Sequence, residues 1–191
     1  MEDLKEEDDA AYNTNASVFN GSMEKHDIIQ YYSEWAYQYE EDLAPGRYDG
    51  PMMAAETCAQ YFKKKDRQNV RILDVAAGTG LVGELLAKKG FSDIHALDPS
   101  EGMLELAKRK QVYKTFLNEY LTEDKLPVPD SGYVVIVMRE EYLYNVPEYK
   151  DRLEPLMAKL EAQGKWVNVE RRVVPNYAFK KNGLIFIYKV L

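Results

Sequence analysis

One stretch limits this chain more than any other. Val70-Arg71-Ile72-Leu73-Asp74-Val75-Ala76-Ala77-Gly78-Thr79-Gly80 is an apolar run closing on a small, glycine-rich turn. It reads as a buried strand feeding a helix. Glycines at 78 and 80 let a ligand approach the main chain, and the helix that follows presents unpaired N–H groups at the positive end of its dipole. A second apolar run, Asp93-Ile94-His95-Ala96-Leu97, ends about twenty residues on in the carboxylate of Asp98, where ribose hydroxyls can donate to it. Together these features predict a nucleoside pocket at the C-terminal edge of a parallel sheet.

The remaining segments build a three-layer, Rossmann-like α/β domain around that pocket. Residues 1–21 are acidic and then rich in Asn, Ser and Thr, with little to bury, and are expected to be a disordered acidic tail. Asp27–Tyr39 is a first helix, whose Ile28, Tyr32, Trp35 and Tyr39 recur at spacings of four, three and four and make one aromatic face. That face is either core packing or a lid over the pocket. Met52 to about Lys65 is a second helix carrying Cys58, read as a buried structural thiol. Helices at Leu81–Lys89 and after Ser100, which is placed to cap, alternate with strands at Arg71–Val75, Ile94–Leu97 and Tyr113–Leu117. Leu126–Gly132 is a proline-rich link, and Tyr133–Met138 a fourth strand. Glu148–Gln163 is a long helix that Pro155 must kink or break near its start. Trp166–Val174 and Leu184–Val190 are expected to pair antiparallel across a linker holding Pro175 and Asn182-Gly183. The sheet is thus mainly parallel, of about six strands, with an antiparallel C-terminal pair.

Composition narrows the partners. A net charge of −7 argues against nucleic acid as an obligatory partner, one cysteine suits a reducing compartment, and no apolar run approaches a membrane span. A cytoplasmic protein with no metal site is expected. His95 lies inside a strand and reads as a packed or hydrogen-bonded side chain.

The choice of nucleoside turns on Asp74. Gly78-Thr79-Gly80-Leu81-Val82-Gly83 satisfies the G-x-G-x-x-G pattern, so an NAD(P)-binding oxidoreductase has to be weighed. An acid inside the strand and no room for a separate substrate domain oppose it. That acid suits instead a ligand with an ammonium group. S-adenosylmethionine has one, together with a carboxylate for the glycine turn and a ribose for Asp98.

Ile72–Gly80 followed by Leu97-Asp98-Pro99-Ser100-Glu101-Gly102-Met103-Leu104 resembles motif I and the second acidic motif of class I S-adenosylmethionine-dependent methyltransferases. Tyr32-Ser33-Glu34-Trp35-Ala36 with Tyr39-Glu40-Glu41-Asp42-Leu43 resembles the aromatic N-terminal helix of a narrower group among them. The resemblance implies a single methyltransferase-like domain over 22–191, with lid helices over 22–66 and the core over 67–191. It implies that Ala76, Gly78 and Gly80, with Thr79 between them, line the methionine moiety. Asp74 faces the ammonium, Asp98 holds the ribose, and Pro99 and Met103 sit beside the adenine. Tyr32 and Trp35 become a cofactor lid, and Asn118-Glu119-Tyr120 reaches toward the adenine amino group.

The chain also departs from that family. Members have a strand, a helix and a further strand between the proline-rich link and the long helix; here one strand, resembling the family's fifth, stands alone. A unit of roughly thirty residues facing the sulfonium methyl and the acceptor is therefore missing. Two functions follow: methyl transfer to an unknown small-molecule or protein acceptor, with S-adenosylhomocysteine as product, or a cofactor-binding pseudoenzyme or binding module without transfer. No catalytic base is nominated; Glu140, Glu141 and Tyr142 either face the pocket or belong to a solvated loop.

Overall fold

The structure, a computed structural model, describes residues 24–44, 46–121 and 132–191. The acidic tail and most of the proline-rich link lie outside the described residues. The rest falls into two compact units, one of residues 24–43 and 51–121, the other of residues 44, 46–50 and 132–191.

In the first unit helices α1 (Lys25–Asp42) and α2 (Gly50–Tyr61, from Pro51 onward) precede a short 3-10 turn at Arg67–Asn69. Then come β1 (Arg71–Val75), α3 (Leu81–Lys88), β2 (Asp93–Leu97), α4 (Glu101–Arg109) and β3 (Thr115–Leu117). The three strands form a parallel sheet in the order β1-β2-β3, with Leu73 opposite His95 and His95 opposite Thr115. β2 alternates in burial, since Ile94 and Ala96 are fully enclosed while His95 between them is half-buried. His95, on the other face, bonds Thr115 Oγ1 at 2.7 Å and Asp93 Oδ1 at 3.3 Å. Leu86 of α3, Leu104 and Ala107 of α4, and Ala55 of α2 close over Ile94 and Phe91. Cys58 packs against this cluster, and burial pushes its thiol up to about 11. Ser100 caps α4 as expected, its Oγ accepting from Met103 N–H at 3.2 Å.

The second unit holds β4 (Gly132–Arg139), the short α5 (Tyr142–Asn145), α6 (Leu153–Ala162), β5 (Trp166–Ala178) and β6 (Lys181–Val190). Its sheet is antiparallel in the order β4-β6-β5. In central β6, Leu184-Ile185-Phe186-Ile187-Tyr188 is a continuous buried run, and its Leu184, Phe186 and Tyr188 share one face and one cluster with Met157 of α6. Trp166 stacks on Tyr188 at 4.3 Å and donates its indole N–H to Met157 O of α6 at 3.1 Å.

The architecture is α/β, and six strands are described, as expected. They are hydrogen-bonded as two three-stranded sheets, and only three of them lie in parallel pairs. Two local readings need correction. The long helix begins at Leu153, not Glu148: residues 147–152 are turns, and Asp151 has φ +55°. Pro155 then falls in the first turn of α6, where its missing N–H interrupts no helical bond. The linker expected between the last two strands, holding Pro175 and Asn182-Gly183, is mostly strand itself: β5 and β6 meet at Phe179-Lys180, both at positive φ (+48° and +60°). Gly183 serves another purpose, because a Cβ there would lie 2.6 Å from Tyr177 Cβ.

Helix α1 docks on α4 at a glycine. A Cβ on Gly102 would sit 2.7 Å from the Ser33 carbonyl oxygen, and Ser33 Oγ lies 2.8 Å from Ser100 Oγ. Alanine normally stabilises an exposed helix position over glycine by about 1 kcal/mol. Here Gly102→Ala is expected to lower the melting temperature and to speed amide exchange in α1. A stabilised variant with unchanged α1 protection would show that the close approach is absent.

Candidate functional site

The glycine turn joins the tips of β1 and β2. Ala76, Gly78 and Gly80 take positive φ (+57°, +56° and +90°), which reverses the chain between Val75 and Leu81 within five residues. Ala77 N–H donates to Leu97 O at 3.1 Å, and Gly80 N–H to Ala77 O at 2.9 Å. Gly80 has left-handed backbone at the N-terminus of α3, and a Cβ there would come within 3.1–3.2 Å of Tyr113 and Ala107. Gly78 differs: a Cβ would meet only the Ala76 oxygen, at 4.0 Å, so this face of the turn is open to a ligand.

Asp98 fastens the turn. Its Oδ2 accepts Gly78 N–H at 2.9 Å and its Oδ1 accepts Ser100 N–H at 2.8 Å. Burial raises its pKa, and the two N–H bonds oppose that rise. Two bonds leave a carboxylate acceptor capacity for two further donors. Asn118 Nδ2 donates to the carbonyl oxygens of Asp98 and Pro99 at 3.1 and 3.0 Å, so its amide clamps this corner.

Asp74 is buried one strand away. Burial lifts its pKa to about 6; the Tyr113 hydrogen bond lowers it, and the Asp98 charge raises it again. A neighbouring cation would relieve both costs. Thr79 is 1% exposed, and its Oγ1 has no hydrogen-bond partner among the described residues. An orphaned buried hydroxyl, an open glycine face and a carboxylate with spare lone pairs fit a polar ligand at this turn.

The other expected site residues are placed as follows. Ala76 is exposed and Pro99 half-buried at the same corner, whereas Met103 is packed in the interior at 2% exposure. Tyr32 is half-buried on α1, its ring 6.0 Å from that of Trp35. Trp35 is itself buried, stacks edge-on to Tyr39 at 4.9 Å and donates its N–H to Asp42 Oδ2 at 2.6 Å. The aromatic face of α1 is thus partly core, while the Ser33–Ser100 contact ties the helix to the residue two beyond Asp98. Glu140, Glu141 and Tyr142 belong to the other unit, where Glu140 Oε2 accepts from Asn182 Nδ2 at 3.0 Å.

Sequence reasoning missed Tyr113. Its hydroxyl donates to Asp74 Oδ2 at 2.7 Å and accepts from Gly83 N–H at 3.2 Å. The signal was Gly83, the last glycine of the G-x-G-x-x-G pattern: a Cβ there would lie 2.2 Å from the Tyr113 ring. That glycine makes room for a tyrosine.

Residues 72–164 match the family model described as a methyltransferase domain. The chain is 33% identical over 110 residues to methyltransferase-like protein 27 of Homo sapiens, covering 58% of this chain and 44% of that protein. It is 37% identical over 100 residues to demethylmenaquinone methyltransferase of Renibacterium salmoninarum, covering 52% and 40%. The chain therefore spans less than half the length of these curated relatives. Among solved structures, magnesium protoporphyrin IX methyltransferase from Synechocystis PCC 6803 with bound S-adenosylhomocysteine superposes with a TM-score of 0.63 at 13% identity, over 87% of this chain and 99% of that one. At that identity the likeness is one of fold.

Asp74 yields a pH prediction. Its folded pKa, about 6, lies above the ordinary 3.8, so ionising it in the folded protein costs stability. That cost is absent below about pH 4, grows as pH rises through 6 and reaches at most about 3 kcal/mol above it. Asp74→Asn, which still accepts from Tyr113, is expected to melt several degrees higher than wild type at pH 8 and level with it near pH 4. A constant difference across that range would exclude ionised, buried Asp74.

Proposed function

We propose that this chain, whose residues 72–164 match a family model described as a methyltransferase domain, binds S-adenosylmethionine at the glycine turn and transfers its methyl group. The acceptor is a small molecule or protein of unknown identity. The observation that carries the reading is the corner at Asp98, where one buried carboxylate holds both the Gly78 and Ser100 N–H groups beside the unpartnered Thr79 hydroxyl. Structural neighbours that hold S-adenosylmethionine or S-adenosylhomocysteine support it.

When bound, S-adenosylmethionine supplies a methyl group on a positively charged sulfur. Asp98 accepts the ribose hydroxyls with its remaining lone pairs, and Asp74 offers a negative charge to the ammonium. Ala76, Gly78, Thr79 and Gly80 present main chain and hydroxyl to the methionine portion. Pro99 and the Met103 backbone region flank the adenine, and Tyr32 with Trp35 holds α1 over the corner to exclude water. In-line displacement asks the protein for alignment and a dry site more than for a covalent partner. The protein acts in the cytoplasm without a nucleic-acid partner; no described helix is long and apolar enough to cross a membrane.

One observation favours a second reading, a cofactor-binding protein without transfer. Among the described residues no further strand joins the parallel ladder after β3, and β4 pairs antiparallel with β6. A wall lost on the acceptor side impairs alignment before it impairs cofactor binding.

Calorimetry with S-adenosylhomocysteine and incubation of cell extract with methyl-labelled S-adenosylmethionine separate these readings. Binding with label transfer supports the enzyme, and binding without transfer supports the second reading. No heat at millimolar ligand overturns both. Asp98→Asn, which keeps one acceptor oxygen, is expected to weaken binding by about tenfold or more, the loss of one hydrogen bond to a charged group.

A further inference from the structure

Tyr113 lies thirty-nine residues from Asp74 in sequence, yet it is the side chain that determines how that carboxylate is presented. The direction of the hydrogen bonds follows from elementary chemistry. Gly83 N–H can only donate, so the phenol oxygen accepts from it, and the phenol proton is left for Asp74 Oδ2. A donor aimed at a carboxylate oxygen favours the ionised form, because a protonated oxygen would compete for the same line. The phenol remains a donor throughout the physiological range, since burial and the Asp74 charge hold its own pKa far above normal. Its ring also fills the space left by the missing side chains of Gly80 and Gly83, which packs the phenol directly against the end of the glycine turn and the first turn of α3.

We infer that Tyr113 is a positioning residue of the cofactor site: it selects the ionised state of Asp74 and aims its carboxylate at a ligand ammonium. The ligand half of this statement rests on the proposed cofactor; the hydrogen-bond half does not. Asp74 is faced by Asp98 from the tip of β2, by Tyr113 from the segment before β3 and by the Cys58 thiol from α2. Asp98 opposes ionisation, the neutral thiol adds no charge, and Tyr113 is the side-chain donor that favours it, with the Gly83 N–H as a smaller main-chain contribution in the same direction. Removing the hydroxyl while keeping the ring should therefore drive Asp74 toward its neutral form at neutral pH.

The test begins without ligand. The carboxyl carbon of Asp74 is followed by NMR in aspartate-labelled wild type and Tyr113→Phe, with Asp74→Asn as the assignment control. The midpoint is expected near 6 in wild type and about one to two units higher in Tyr113→Phe, the value of a hydrogen bond to a charged group. Coincident curves overturn the proposal. Should Tyr113→Phe not fold, wild type carrying 3-fluorotyrosine replaces it: one fluorine resonance must follow the Asp74 midpoint and cease to titrate in Asp74→Asn, and its absence is equally fatal.

S-adenosylhomocysteine is then titrated into both proteins. Tyr113→Phe is expected to bind it about three- to twentyfold more weakly than wild type at pH 6.5, with the difference closing by pH 8. Equal weakening at both pH values means ordinary structural damage and overturns the positioning role. A shifted Asp74 midpoint in a wild type that binds no S-adenosylhomocysteine overturns the cofactor assignment instead, leaving control of Asp74 by Tyr113 established.

Discussion

A single carboxylate closes the functional corner of the first unit. Asp98 accepts one main-chain N–H from the glycine turn and another from the start of α4, one on each oxygen. Charge-assisted bonds to backbone amides are among the few that offset burying a carboxylate. They also tie together two segments that follow different strands. Once Gly78 is held there, the reversed backbone at Ala76 and Gly80 can deliver the chain into α3. Once Ser100 is held, its hydroxyl is free to cap α4 and to meet Ser33 of α1. Turn, two helix starts and the docking of the aromatic helix thus share one anchor.

A second carboxylate, Asp74, makes the corner chemically selective. Burial makes an ionised Asp74 costly, and repulsion from Asp98 at the neighbouring strand tip adds to that cost. Such an arrangement is maintained most easily when something cationic visits it, which is the physical argument for an ammonium-bearing ligand. Tyr113 reduces the cost in the meantime. A half-buried cation is paired in the same unit: Lys110 reaches Glu40 of α1 at 3.0 Å and Glu84 of α3 at 3.1 Å, so the aromatic helix is held by an ion triad as well as by packing.

The second unit follows a different logic. Its centre is the buried strand Leu184–Tyr188, covered by Met157 and Trp166 and bordered on both edges. Arg139, at the end of β4, is buried with its guanidinium over Tyr142 and Phe179 at 5.7 and 5.4 Å and 3.6 Å from Glu141. The rings supply negative faces to a cation that would otherwise be costly to enclose. The hairpin that carries Phe179 turns through two left-handed residues, neither of them glycine. The Asn182-Gly183 pair, expected in the linker, lies inside β6 instead, where its glycine is needed to admit Tyr177.

What the chain's own order of residues determined was everything written in short stretches: the apolar strands, the glycine turn, the spacing to Asp98 and the cap at Ser100. Those signals are local, because backbone sterics and burial periodicity act over a few residues. Tertiary structure alone decided which glycines were vacated for a partner. Gly83 makes room for Tyr113, Gly102 for the Ser33 carbonyl and Gly183 for Tyr177. Each partner is either remote in sequence or brought close by a bulge, so no window on the chain contains the reason. It also decided that six strands pair as two ladders, a matter of edge hydrogen bonds that propensity does not encode.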